Sequence, residues 1–257
     1  MSAPLVALYP ERGEVVQAWI DEIVRQFTLN FIADDRWRFL SNGLMLTLRV
    51  TFFSLIFGIL IGIIVSIIRS SHDKNIEKMR PGIGKFLLIF FDRICVVYLT
   101  VIRGTPVMVQ LLIFYFVVLV KVSSGELIGT IAFSINAGAY IAEIFRSGII
   151  SIDNGQFEAG RSLGLNYVQT MIYIIIPQAF KNILPTLANE FIVLLKETSV
   201  LGIIGIQDLT RGGQIISGRT YSPFMPYIAV ALIYLTLVMV LTWLVRKLER
   251  RLRASER

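Results

Sequence analysis

Few side chains in this sequence have the types and spacing needed for bond chemistry. His72 is the one histidine, in Ser70-Ser71-His72-Asp73-Lys74. A His-based metal site or a Ser-His-Asp arrangement needs more than that. Cys95 is the one cysteine, inside an apolar run. It cannot form a disulfide within one chain, and it reads as a small buried hydrophobe. Arg80-Pro81-Gly82-Ile83-Gly84-Lys85 contains a Gly-x-Gly-Lys fragment. It lacks the first-glycine spacing and the following Ser or Thr of a phosphate loop. What remains is a set of polar residues inside apolar stretches. Asn136, Tyr140 and Glu143 fall at i, i+4 and i+7, on one helical face. Asn189 and Glu190 precede Lys196-Glu197-Thr198-Ser199, and Gln207-Asp208 follow. Such groups face a bundle interior or a water-filled path, because exposure to lipid is costly. Glu143 reads equally well as a packing residue at the end of a span.

The elements that would hold these groups are membrane spans. Of 257 residues, 55% are hydrophobic and 17% charged, against about a quarter charged in soluble domains. The net charge of +7 falls beside apolar runs, as topology signals do. Met1–Pro10 has no basic segment followed by an apolar one, so no cleaved leader is expected. Residues 18–32 predict an amphipathic helix at one membrane face. Spans are expected at 44–68, from about 106 to 120, at 126–147, 183–200 and 224–245. Gly58 and Gly62 would allow close helix packing. Residues 86–105 are expected partly at the interface, and residues 201–222 as a re-entrant or outer-face segment. Basic residues in 69–85 and in Arg246–Arg253 put both on the cytoplasmic side. Five spans then place the N-terminus outside and the 147–182 connection inside. The domain limits expected are 1–43 for an extracytoplasmic or interfacial segment, 44–250 for the membrane domain and 251–257 for a basic tail.

The 147–182 connection is longer than joining two spans requires. Asp153, Asn154 and Gln156 precede a short predicted helix and supply capping acceptors. Gly160 and Gly164 leave one side of it bare, and Gly164 and Asn166 can end it. A second helical run from Tyr167 meets Pro177. The shape predicted is helix, tight turn, helix. On the residues alone this is either a docking knob for a soluble partner or an interfacial pair packed on its own bundle.

Glu158-Ala159-Gly160, Gly164 and Ile174-Ile175-Ile176-Pro177 resemble the EAA signature of permease subunits of bacterial ATP-binding cassette importers. That signature reads E-A-A, three residues, G, nine residues, I, one residue, L-P. Gly160 replaces its second alanine, and Ile176 its leucine. Arg103-Gly104-Thr105-Pro106 with Gln110, Ala139–Arg146 and Lys196-Glu197-Thr198-Ser199 are similar to the polar amino acid branch. The resemblance covers roughly residues 40–250. It implies an all-α membrane protein with about five transmembrane helices and a cytoplasmic coupling segment near 151–180, the MetI-like type I importer permease fold. It implies a multi-pass protein of the bacterial inner membrane that is not itself an enzyme. ATP and magnesium would bind a partner ATPase, and this chain would hold no cofactor or metal. A second permease, like or related, and an extracytoplasmic amino-acid-binding protein complete the expected set, without nucleic acid. Glu158, Ala159, Gly160, Arg161, Leu163, Gly164 and Leu165 would dock in the ATPase. Glu197 first, then Thr198, Asn136, Tyr140, Asn189 and Gln207, would supply acceptors and donors for a zwitterion. An ATP-independent channel or carrier is the alternative.

Overall fold

The computed structural model describes residues 12–77 and 79–254; the leader reading at Met1–Pro10 lies outside them. Among these residues every regular element is a helix. Helix α1 (Arg12–Phe27) continues through a π turn, Thr28–Ile32, into α2 (Trp37–Asn75). Then come α3 (Ile83–Gly104), α4 (Val107–Ile113) with its π extension Phe114–Val118, and α5 (Gly125–Ile150). Helices α6 (Asn154–Ser162) and α7 (Tyr167–Thr170) form a short pair, followed by α8 (Ile176–Glu197), α9 (Leu209–Thr220) and α10 (Phe224–Ala254).

Three helices, Trp37–Lys74, Gly125–Ile150 and Phe224–Leu252, are long and apolar enough to cross a membrane. The span expected from 106 to 120 is corrected. The apolar helix there covers Val107–Val118, and 12 residues rise only about 18 Å of the roughly 30 Å needed. Helices α3 and α4 are separated there by a break at Thr105-Pro106. Pro106 stands just before the first helical residue of α4, where its missing N–H costs no bond. Two further boundaries move. Helix α2 runs through Arg69 to Asn75, and α10 runs through the basic segment to Ala254. The tail expected from 251 thus begins as the end of a helix. Pro177 opens α8 rather than breaking a run.

The core lies between α2 and α5. A Cβ on Gly58 would stand 3.1 Å from Ala137 Cβ, and one on Gly62 2.6 Å from Ile141 Cγ2. The bare backbone at these two positions lets the helices touch directly. Val50, Phe133, Ala137, Ile141, Leu194 and Leu201 fill the centre. At one end of the bundle, α9 caps the assembly. Asp208 is fully buried and accepts hydrogen bonds from the N–H groups of Arg211 (3.0 Å) and Thr210 (3.3 Å). A Cβ on Gly43 would lie 2.5 Å from the Asp208 carbonyl oxygen, so α2 presses against this cap. Asp208→Ala is expected to cost about 1–2 kcal/mol, while Asp208→Asn keeps the cap and stays near wild type. Thermal unfolding in detergent distinguishes the two. At the opposite end stand α6, α7, the 69–85 stretch and the basic end of α10.

Candidate functional site: a capped helix pair and a polar bundle interior

The α6–α7 pair is built from four local signals. Asp153 accepts from the Gly155 N–H at 2.6 Å and starts α6. Gly164, at φ 78°, ends it in the left-handed region. Leu165 N–H bonds to the Gly160 carbonyl (3.1 Å), and Gly164 N–H to that of Arg161 (2.9 Å). These two bonds make a Schellman turn. Asn166 then starts α7 rather than ending α6. It forms a capping box with Gln169, the two backbone–side-chain bonds each 2.9 Å.

Gly160 turns inward. A Cβ there would meet Thr170 Cγ2 at 2.6 Å and Ile174 Cδ1 at 3.2 Å. The close approach it permits is between α6 and α7 with the turn that follows it, within this chain. Glu158, Ala159, Arg161, Leu163 and Gly164 are exposed, Leu165 is half-buried, and Leu163 is 76% exposed. The pair is therefore a pre-formed knob with an apolar tip.

Several contacts tie the knob to the bundle. The Lys74 ammonium at the end of α2 lies 4.0 Å from the Phe157 ring centroid and 5.7 Å from that of Tyr167. Such a cation held over aromatic faces is favourable. Burial raises the Tyr167 phenol above its ordinary range. Gln178 donates to Gln156 (3.2 Å), and Asn182 to Ser151 (2.9 Å). Beside Lys74 runs a chain of charges. Asp73 lies 4.0 Å from Arg146, which pairs with Glu143 at 2.7 Å, and Arg103 lies 3.9 Å from Glu143. Arg69 and the buried Asp92 pair at 2.6 Å. Lys74 was not singled out in the sequence. Its signal was its position one helical step beyond an apolar span, opposite two aromatic residues of the connection.

The polar candidates in the spans divide into two groups. Asn136 is buried and donates to Gln110 Oε1 at 2.9 Å. Gln110 in turn donates to the carbonyls of Ile102 (2.7 Å) and Thr105 (3.0 Å). Those carbonyls lie where the Pro106 break ends α3, so Gln110 and Asn136 satisfy backbone groups that the kink frees. Thr198 is fully buried and bonds to the Leu195 carbonyl (2.9 Å) and Thr51 Oγ1 (3.3 Å). Asn136 and Thr198, both expected at the path, are buried with hydrogen-bond partners between or within helices. Tyr140 is half-buried with the Arg103 guanidinium 5.7 Å from its ring centroid. The second group stays at the surface of the chain. Glu197 is half-buried; Asn189, with its amide on the Pro185 carbonyl (3.2 Å), and Gln207 are exposed. Glu190, half-buried and two turns from Glu197, shares its face of α8. The i, i+7 spacing of two acids in one span was the signal for it.

The site is thus a kinked helical bundle with buried polar contacts that presents a short helix pair at one end. Residues 84–254 match the family described as "Binding-protein-dependent transport system inner membrane component", and the chain belongs to that family. It is 42% identical over 161 residues to a putative glutamine transport system permease protein of Rickettsia bellii, covering 62% of this chain and 74% of that one. It is 39% identical over 168 residues to the arginine transport system permease protein of Bacillus subtilis, again covering 62% and 74%. A crystal structure of an amino acid ABC transporter with histidines matches at TM-score 0.73 and 39% identity, over 83% of this chain and 94% of that one. The inward-facing MetNI methionine transporter shares the fold, at TM-score 0.69 and 22% identity over 86% and 99%.

Proposed function

We propose that this chain is the membrane-spanning subunit of an ATP-driven importer of polar amino acids, receiving its drive through α6 and α7. One observation carries this reading: a short helix pair, with α6 capped at both ends and α7 at its start, stands at the end of the bundle and exposes Glu158, Ala159, Arg161 and Leu163. A connection that only joined two spans would need neither the Schellman turn nor the capping box. The basic 69–85 stretch and the basic end of α10 share that end of the bundle, which supports a cytoplasmic position for it and an outside position for α1. A partner ATPase would hold ATP and magnesium, and its closure would push α6. Lys74 on Phe157 and Tyr167 would pass the push to α2, and the contact of α2 with α5 would pass it to the bundle. A second permease would cover the acidic face of α8, so that Glu190 and Glu197 line a path between the two. The names of the relatives support an amino acid as cargo.

The test is uptake by the chain reconstituted in proteoliposomes with its ATPase and binding protein. Accumulation of a polar amino acid is expected only with ATP and the binding protein present. Equal uptake without ATP would support a channel or carrier and overturn the reading.

A further inference from the structure

Helix α1 stands outside the residues matched by the family, which begin at 84, and the mechanism above makes no use of it. Its root is fixed. Asn30 is fully buried; its amide donates to the Gln26 carbonyl (2.8 Å) and to Ser222 Oγ (3.4 Å), and its Oδ1 accepts from Thr220 (2.7 Å). Ser222 donates to Gln26 Oε1 at 2.9 Å. Phe31 is buried with Leu40, Leu209, Ile216 and Val230. These contacts nail the end of α1 to the turn between α9 and α10, at the end of the bundle away from α6.

From that root the helix projects an uncovered apolar face. Val16, Trp19, Ile20, Ile23, Val24 and Phe27 recur at helical spacing, and all are exposed, Trp19 at 71%. The opposite face pairs with itself: Gln17 donates to Asp21 (3.0 Å), and Arg25 pairs with Glu22 (2.8 Å). The polar groups described on that face pair within the helix, apart from Gln26, which belongs to the root at Ser222. A protein partner would be recognised by directed polar contacts around an apolar centre. A bilayer needs only the apolar face. The face is also continuous with membrane-facing surface. Trp19 and Ile23 share a cleft of about 600 Å³ with Phe224 and Met225, the first residues of the span α10. Phe224 is 72% exposed, and Tyr227 and Ile228 carry the exposed apolar surface onward.

We infer that α1 lies flat in the membrane–water interface beside the α9–α10 turn, with its apolar face among phospholipid acyl chains. Two arginines against three acidic residues in α1 give no cationic excess. Insertion therefore rests on apolar area, and zwitterionic lipid suffices.

The test uses the full chain with Trp37→Phe and Trp243→Phe, which leaves Trp19 as the one tryptophan, in phosphatidylcholine vesicles with tryptophan excited selectively over tyrosine. Trp19 emission is expected to be blue-shifted and quenched at least two-fold by phosphatidylcholine brominated on the acyl chains, with little quenching by iodide. Ile20→Glu with Ile23→Glu should reverse the two sensitivities. Iodide quenching without lipid quenching in the parent would overturn the inference by placing the face in water. Shielding from both quenchers would also overturn it, by placing a second copy or another protein on the face. Should the tryptophan substitutions prevent folding, a bimane on Val24→Cys in a Cys95→Ser background gives the same readout with all tryptophans retained.

Discussion

Glu158→Lys is expected to abolish ATP-driven uptake while leaving the chain folded and inserted. Glu158 is exposed on α6, and the local bond there is Ser162 Oγ to its backbone carbonyl at 3.0 Å, which any residue keeps. Exposed substitutions of this kind change stability by roughly 0.5 kcal/mol or less. Docking is another matter. Reversing a charge whose partner is desolvated at an interface costs about 2–5 kcal/mol, which is roughly a 30-fold loss of ATPase affinity or more. Two measurements on the same preparation check it: co-purification of the ATPase with the permease, and uptake in proteoliposomes. Loss of both, with an unchanged unfolding temperature, is expected. Normal association with normal uptake would remove Glu158 from the contact. Glu158→Gln, which keeps the shape and loses the charge, should fall between.

The second large effect is on stability. Asp92 is 3% exposed and pairs with Arg69 at 2.6 Å, with His72 Nδ1 3.7 Å from its other oxygen. Asp92→Ala leaves a largely buried guanidinium without its anion. Breaking a buried pair from one side costs about 3–5 kcal/mol. Arg69 retains some exposure, its side chain being 22% exposed, so the lower end of that range is expected. Removing both charges together should restore most of the loss, because no uncompensated ion then remains. The Arg69→Met, Asp92→Leu pair is therefore expected within about 1.5 kcal/mol of wild type. Thermal unfolding of the full chain in detergent, compared across the single and double variants, reads this directly. A single variant as stable as wild type would show that the pair contributes nothing.

Much of the α6–α7 segment was legible in the sequence because its signals are local. Asp153 and Gly164 act on backbone within a few residues of themselves, so the start and end of α6 follow from residue type and spacing; Asn166, expected to help end α6, instead starts α7 with Gln169. The membrane class was legible for a similar reason: hydropathy and charge bias act on each span separately. The α3–α4 break was less so, since the geometry of two helices joined at a kink depends on how that kink is held. That hold is the reach of Gln110 back to the carbonyls of Ile102 and Thr105, with Asn136 behind it.

Taken alone, the sequence determined an all-helical membrane protein and a short helix–turn–helix pair in the connection between α5 and α8. The tertiary structure decided what each polar or small residue faces. It turned Gly160 inward onto Thr170, set Lys74 over Phe157 and Tyr167, buried Asn136 against Gln110 and Thr198 against Thr51, and left the apolar face of α1 uncovered. The physical reason is one of range. Caps, turns and hydropathy are settled by neighbours in the chain, whereas the direction of a side chain in a bundle is settled by which other helix arrives beside it.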